Sequence, residues 1–169
     1  MDDPGTPTEW SSRVLITDRA AELLGRLVGR HGPVMFHQSG GCCDGSAPMC
    51  YPQGEFIVGD RDVLLGVISA GPGEPGAPVW ISGSQYELWK HTQLVLDAVP
   101  GRGSGFSLEA PEGQRFLTRS RVIPPEREDR LPPVLTGSAV EEGAPLPDPL
   151  GPVEPTGALG EVCRPATTR

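Results

Sequence analysis

Three of the four cysteines fall within nine positions, in the stretch Gly40-Gly41-Cys42-Cys43-Asp44-Gly45-Ser46-Ala47-Pro48-Met49-Cys50-Tyr51. Thiolate is a soft ligand suited to iron-sulfur clusters, zinc and copper(I), and glycine frees the backbone to fold three thiols around one ion. The spacing is Cys-Cys-x6-Cys, not the paired C-x2-C of a zinc ribbon, so a closed site needs a fourth ligand from elsewhere. His37, five residues before Cys42, and His91 are the candidate donors. The metal set read from the sequence is therefore Cys42, Cys43, Cys50, His37 and His91.

The same residues support a second chemistry. Cys42 or Cys43 as nucleophile, with His37 or His91 as base, makes a reactive-thiol site if thiol and imidazole come within hydrogen-bond reach. Asp44 is best read as a turn residue. His31 sits at a helix C-terminus, where a cation is favoured, and is set aside, as is Cys163, alone near the C-terminus.

The elements that must position this loop follow from periodicity. Val14-Leu15-Ile16 reads as a short strand, and Thr17 caps a helix whose apolar residues Ala20, Leu23, Leu24, Leu27 and Val28 share one face until Gly32 and Pro33 stop it. Val34 to Gln38 is a strand feeding the loop. Glu55 to Val58 and Asp62 to Ile68 read as a hairpin about Gly59-Asp60-Arg61, and Val79-Trp80-Ile81 as a further strand. Ser82 or Ser84 caps a second helix ending near His91. Leu94 to Val99, Phe106 to Glu109 and Gln114 to Ile123 complete the strands. Two helices with about seven short strands joined by turns imply an α+β fold of mainly antiparallel strands.

The 169 residues suffice for one domain with a core. All nine aromatic residues precede position 124, whereas residues 124–169 hold half of the 20 prolines. That composition predicts a disordered, acidic, Pro/Gly-rich tail after a flexible leader at 1–12 and a single α+β metal or thiol domain at 13–123. The net charge of −8 lies mostly at the ends: residues 1–12 carry three acids, and residues 124–169 carry eight acids against four arginines. Nucleic-acid binding needs clustered Lys and Arg and is not expected. The one basic cluster, Arg102, Arg115, Arg119 and Arg121, reads as a solvated face rather than an anion site. No leader resembles a signal peptide and no apolar run approaches membrane length. A cytoplasmic protein without membrane contact is expected, with reduced thiols available to metal or substrate.

Two resemblances add to this reading. Val14 to Leu24, then Gly40-Gly41-Cys42-Cys43-Asp44-Gly45, then Gly103-Ser104-Gly105-Phe106-Ser107-Leu108-Glu109-Ala110-Pro111, are similar to the A-type iron-sulfur carriers, the HesB/IscA-like family. The resemblance implies a compact HesB/IscA-like domain, with Cys42 or Cys43 at the first ligand position and iron as the metal. The C-terminal Cys-Gly-Cys of those carriers is absent, which counts against an Fe-S cluster. The second resemblance rests on His37 to Ser46, on Trp89-Lys90-His91-Thr92, and on Gly105 to Glu109 with Phe116 to Ser120. It is to a bacterial family of unknown function (domain of unknown function 779) associated with aldehyde and acetaldehyde dehydrogenases.

Together these readings give a metal-binding accessory protein, iron first with zinc or copper open, linked to aldehyde or alcohol oxidation. An aldehyde dehydrogenase is its implied partner, and a homodimer its implied assembly. The alternatives are a small metal- or thiol-dependent oxidoreductase using the same Cys/His site, and a binding module that stabilises its partner.

Overall fold

The chain was analysed as a computed structural model, which describes residues 9–38, 48–101, 107–155 and 160–161. Two sheets enclose the core. The first has strand order β1 (Val14–Ile16), β6 (Thr92–Pro100), β7 (Gln114–Val122) and β9 (Gly160–Glu161). The second has order β3 (Met49–Pro52), β2 (Val34–Gln38), β5 (Ala77–Ile81), β4 (Val63–Ile68) and β8 (Leu135–Thr136). Most pairs are antiparallel, as expected, but β1 runs parallel to β6 and β2 parallel to β5. Both parallel pairs join strands far apart in sequence, so the short turns between consecutive strands do not forbid them.

The helix α1 (Asp18–His31) forms where its signals lie. Thr17 Oγ1 accepts the Ala20 N–H at 3.3 Å, and Gly32 (φ 79°) ends the helix by donating its N–H to the Val28 carbonyl. Ala20, Leu23, Leu24 and Leu27 are buried against both sheets, in one cluster with Ile16, Phe36, Leu96 and Phe116. Phe36 and Phe116 meet edge to face at 4.9 Å, joining the sheets through their inner faces. The second helix, α2 (Gly83–Trp89), is capped by Ser82. No helix among the described residues is long and apolar enough to cross a membrane.

Three local expectations fail. Glu55 to Val58 is irregular chain, and β4 pairs with β5 and β8 instead; Phe56 packs on His37 while Ile57 is 90% exposed. Ser107 to Glu109 is a turn leading into a 3-10 turn at Ala110–Glu112, not a strand. Met49 to Pro52, read as the end of the cysteine loop, is strand β3.

The segment from 124 differs most from its expectation of disorder. It contains α3 (Pro125–Glu128), β8 and α4 (Gly137–Glu141), and it buries Leu131. Gly137 donates its N–H to the Asp62 carbonyl at 2.8 Å, Leu150 to Val67 at 2.9 Å, and Val153 to Ile16 at 3.1 Å. Close approach requires glycine at 137: a Cβ there would lie 2.0 Å from the Gly59 carbonyl oxygen. An aromatic-free segment needs no core of its own when it docks on one already formed, and its prolines reduce the entropy it loses on ordering. The end of the leader is also held. Trp10 lies under the Arg121 guanidinium at 4.0 Å, and Gln93 Nε2 donates to the Glu9 and Ser12 carbonyls.

Candidate functional site

The strands β2 and β3 are the two feet of the cysteine loop. Gln38 ends the first and Met49 begins the second, while Cys42, Cys43 and Asp44 lie outside the described residues, as does Cys163. The β2–β3 register pairs Phe36 with Cys50 and His37 with Met49. Side chains alternate along a strand and directly opposed residues share a face. Phe36 and Cys50 therefore point into the core, where both are fully buried, and His37 points out of the opposite side of the sheet.

This separates ligands that the sequence grouped. His37 Nε2 lies 3.0 Å from Asp62 Oδ2, which also accepts the Gly59 N–H, and its ring packs 4.6 Å from that of Phe56. His91 is farther still. It is exposed at the start of β6, with Nδ1 3.2 Å from Glu128 Oε1. Five residues of strand, about 17 Å, separate it from Leu96, whose partner Thr118 touches Gln38. Cys50, His37 and His91 thus do not converge, and no group of three metal-ligating side chains gathers among the described residues.

A different set of polar residues meets at the loop's feet. The Cys50 N–H donates to Ser107 Oγ at 2.8 Å, and its carbonyl accepts the Leu108 N–H at 3.0 Å. The Ser107 hydroxyl in turn donates to the Glu109 carboxylate. At the other foot, Thr118 Oγ1 donates to Gln38 Oε1 at 2.9 Å, and the Gln38 carbonyl accepts the Ser82 N–H at 3.2 Å. All these side chains are buried. With its oxygen engaged by Thr118, Gln38 presents Nε2 as a buried donor that has no partner among the described residues.

Burial, with the Glu109 carboxylate adding to it, pushes the Cys50 thiol well above its ordinary range. Cys50 is therefore protonated and a poor nucleophile at neutral pH. Burial also raises the Glu109 carboxyl, against hydrogen bonds from Ser107 and from the Glu109 and Phe116 backbone. The sequence reading missed Gln38, Ser107, Glu109 and Thr118. The available signal was alternation: Gln38 continues the inward positions of Val34 and Phe36, and a polar residue on an apolar face asks for a partner.

Two arginines of β7, Arg119 and Arg121, are paired. Asp97 accepts from Arg19 Nε and Nη2 at 2.7 Å each and from Arg119 Nε at 2.8 Å. Burial alone would raise the Asp97 carboxyl, but these bonds, with those from Thr17 and the Ala98 N–H, hold it well below the usual carboxylate range. Arg121 donates to Gln93 Oε1 at 2.7 Å, Arg115 is exposed, and Arg102 lies outside the described residues.

No curated protein and no solved structure matches the chain. A family profile does match, over residues 23–122, and by that match the chain belongs to the family described as a domain of unknown function, DUF779.

Proposed function

We propose that this member of the DUF779 family is a metal-binding accessory protein, with Cys42, Cys43 and Cys50 as thiolate ligands at the foot of a HesB/IscA-like core. Its partner on this reading is an aldehyde dehydrogenase, and it works as a cytoplasmic homodimer. Iron is the first choice by resemblance, with zinc and copper as alternatives that three thiolates also suit. The observation that carries the proposal is the anchoring of Cys50. Both its backbone groups are bonded to the 107–108 turn, so one thiol stands fixed at the foot of the loop, with the Glu109 carboxylate close enough to act on it electrostatically. The donors fit in part: His37 and His91 lie away from Cys50, and Glu109 enters as a fourth candidate beside it. A bound metal would supply the charge that removes the Cys50 proton, which burial otherwise retains.

The test is metal analysis and a visible spectrum on protein purified without oxygen. About one equivalent of metal is expected, lost in Cys42→Ser/Cys43→Ser and in Cys50→Ser, with a lower Tm after removal because binding stabilises only the folded state. Wild-type protein that folds fully, carries no metal and gains no thermal stability from Fe, Zn or Cu would overturn the proposal.

The second reading is a thiol-dependent enzyme, and the unpartnered Gln38 amide favours it. A thiolate at Cys42 or Cys43 would add to an aldehyde carbonyl, forming the C–S bond as the C=O π bond breaks, with the oxygen taking a proton from solvent. Gln38 Nε2 is a suitable donor to that oxygen. Aldehyde consumption lost in Cys42→Ser/Cys43→Ser but resistant to chelators would select this reading over the first.

A further inference from the structure

Residues 132–150 do more than cover β4: with it they enclose a cleft of about 470 Å3. The floor is β4 from Leu64 to Val67, where the strand bulges between Leu64 and Gly66. The strand β8 pairs only with Val63 and Leu64, and Leu150 bonds to the Val67 carbonyl and the Ser69 N–H. The edge between them, at Leu65 and Gly66, opens into the cleft. Ser11, Ser12 and Arg13 make one side. They approach the floor closely: a Cβ on Gly66 would lie 2.6 Å from Ser12 Oγ. The volume is in the range of small-molecule sites.

The chemistry of the lining is one-sided. Five prolines, at 132, 133, 145, 147 and 149, line the cleft, and none has an N–H to donate. The charged side chains of the lining are Asp148 and Arg13. Arg13 directs its guanidinium elsewhere, donating to the Lys90 carbonyl at 2.8 Å and lying 5.9 Å from the Tyr86 ring. Asp148 is exposed and is the acidic residue of the lining. An apolar floor, a proline wall without N–H donors and an acidic residue in the lining complement a ligand with an apolar body and a positively charged end.

We infer that this cleft binds a small organic amine, its apolar part against Leu65, Val67 and the prolines and its ammonium group at Asp148. The floor of the cleft lies inside the family-matched residues 23–122, whereas the Ser11–Arg13 side and the 132–150 segment lie outside them. It does not depend on the cysteine loop.

The test uses the full chain, labelled with 15N, and three probes of one size: phenethylamine, 2-phenylethanol and 3-phenylpropanoate. Amide shift changes confined to residues 11–13, 64–67 and 132–150 are expected, with the amine binding tightest and the carboxylate weakest. Asp148→Asn, an exposed change that spares the fold, should weaken the amine about threefold, as for an exposed ion pair, and leave the alcohol unchanged. Equal binding of amine and carboxylate, an unaltered amine affinity in Asp148→Asn, or shifts that fall elsewhere or not at all would each overturn the assignment.

Discussion

The two faces of β2 treat polar residues in opposite ways. On the inner face, buried hydrogen bonds tie one foot of the cysteine loop, through Cys50, Ser107 and Glu109, to the turn at 107–109, and the other, through Gln38 and Thr118, to β7. On the outer face, His37 and Asp62 are a local pair, closed off by Phe56, that ties β2 to the 59–62 turn. One residue of register separates the two, and it puts Gln38 on the face of Cys50 and His37 on the opposite one. Proximity in sequence is thus a poor guide to a shared site on a strand.

The largest test of this division is Phe36→Ala. Phe36 is the inward neighbour of Cys50 in the register and the contact between the sheets through Phe116. Removing a fully buried aromatic ring costs about 3–5 kcal/mol, a large share of the ~5–15 kcal/mol that holds a domain folded. Urea unfolding should show the loss. A cost under ~1 kcal/mol would mean that the inner face does not hold the loop's feet together.

A smaller effect comes from Glu109→Gln. The Glu109 carboxyl is raised by burial in the folded chain, so the native state keeps this proton to higher pH than the unfolded state does. Its contribution is fully present below the ordinary glutamate range, near pH 4, and is lost as pH rises through the higher native value. In metal-free protein, wild type should therefore lose stability relative to Glu109→Gln as pH rises above about 4. A difference in urea midpoint that stays constant over that rise would show that Glu109 is not buried as described.

How much of this was legible depends on what each signal measures. Local signals were read correctly: the Thr17 cap, the 3.6-residue period to Leu27 and the stop at Gly32 define α1, and the Val and Leu content of 94–99 marks β6. Pairing signals were not. Glu55 to Val58 has strand composition but no partner, and Met49 to Pro52, flanked by prolines, is a strand because β2 offers it an edge. Composition alone does not show the order of the segment from 124, where Leu131 is buried, Leu135 packs beside Leu64 and Trp80, and Leu150 pairs with β4. The same holds for the relation between Cys50 and His37. Residue types pointed to Cys50 and His37 together, and only the register shows that they lie on opposite faces.

The smallest effect is the sharpest on that point. His37→Gln removes the ring that packs on Phe56 and alters the contact with Asp62, on a face that the loop's feet do not share. One such hydrogen bond is worth about 1 kcal/mol net, so a modest drop in urea midpoint is expected. Bound metal per chain should not change, because the β2–β3 register turns this side chain away from Cys50. Metal lost from His37→Gln in proportion to Cys50→Ser, with the fold intact, would require β2 and β3 to present the two residues to one site. An alternating strand allows that only if β2 and β3 slip by one residue, which would also drive Phe36 out of the core. Stability and metal content measured on the same sample therefore decide between a structural His37 and a ligand.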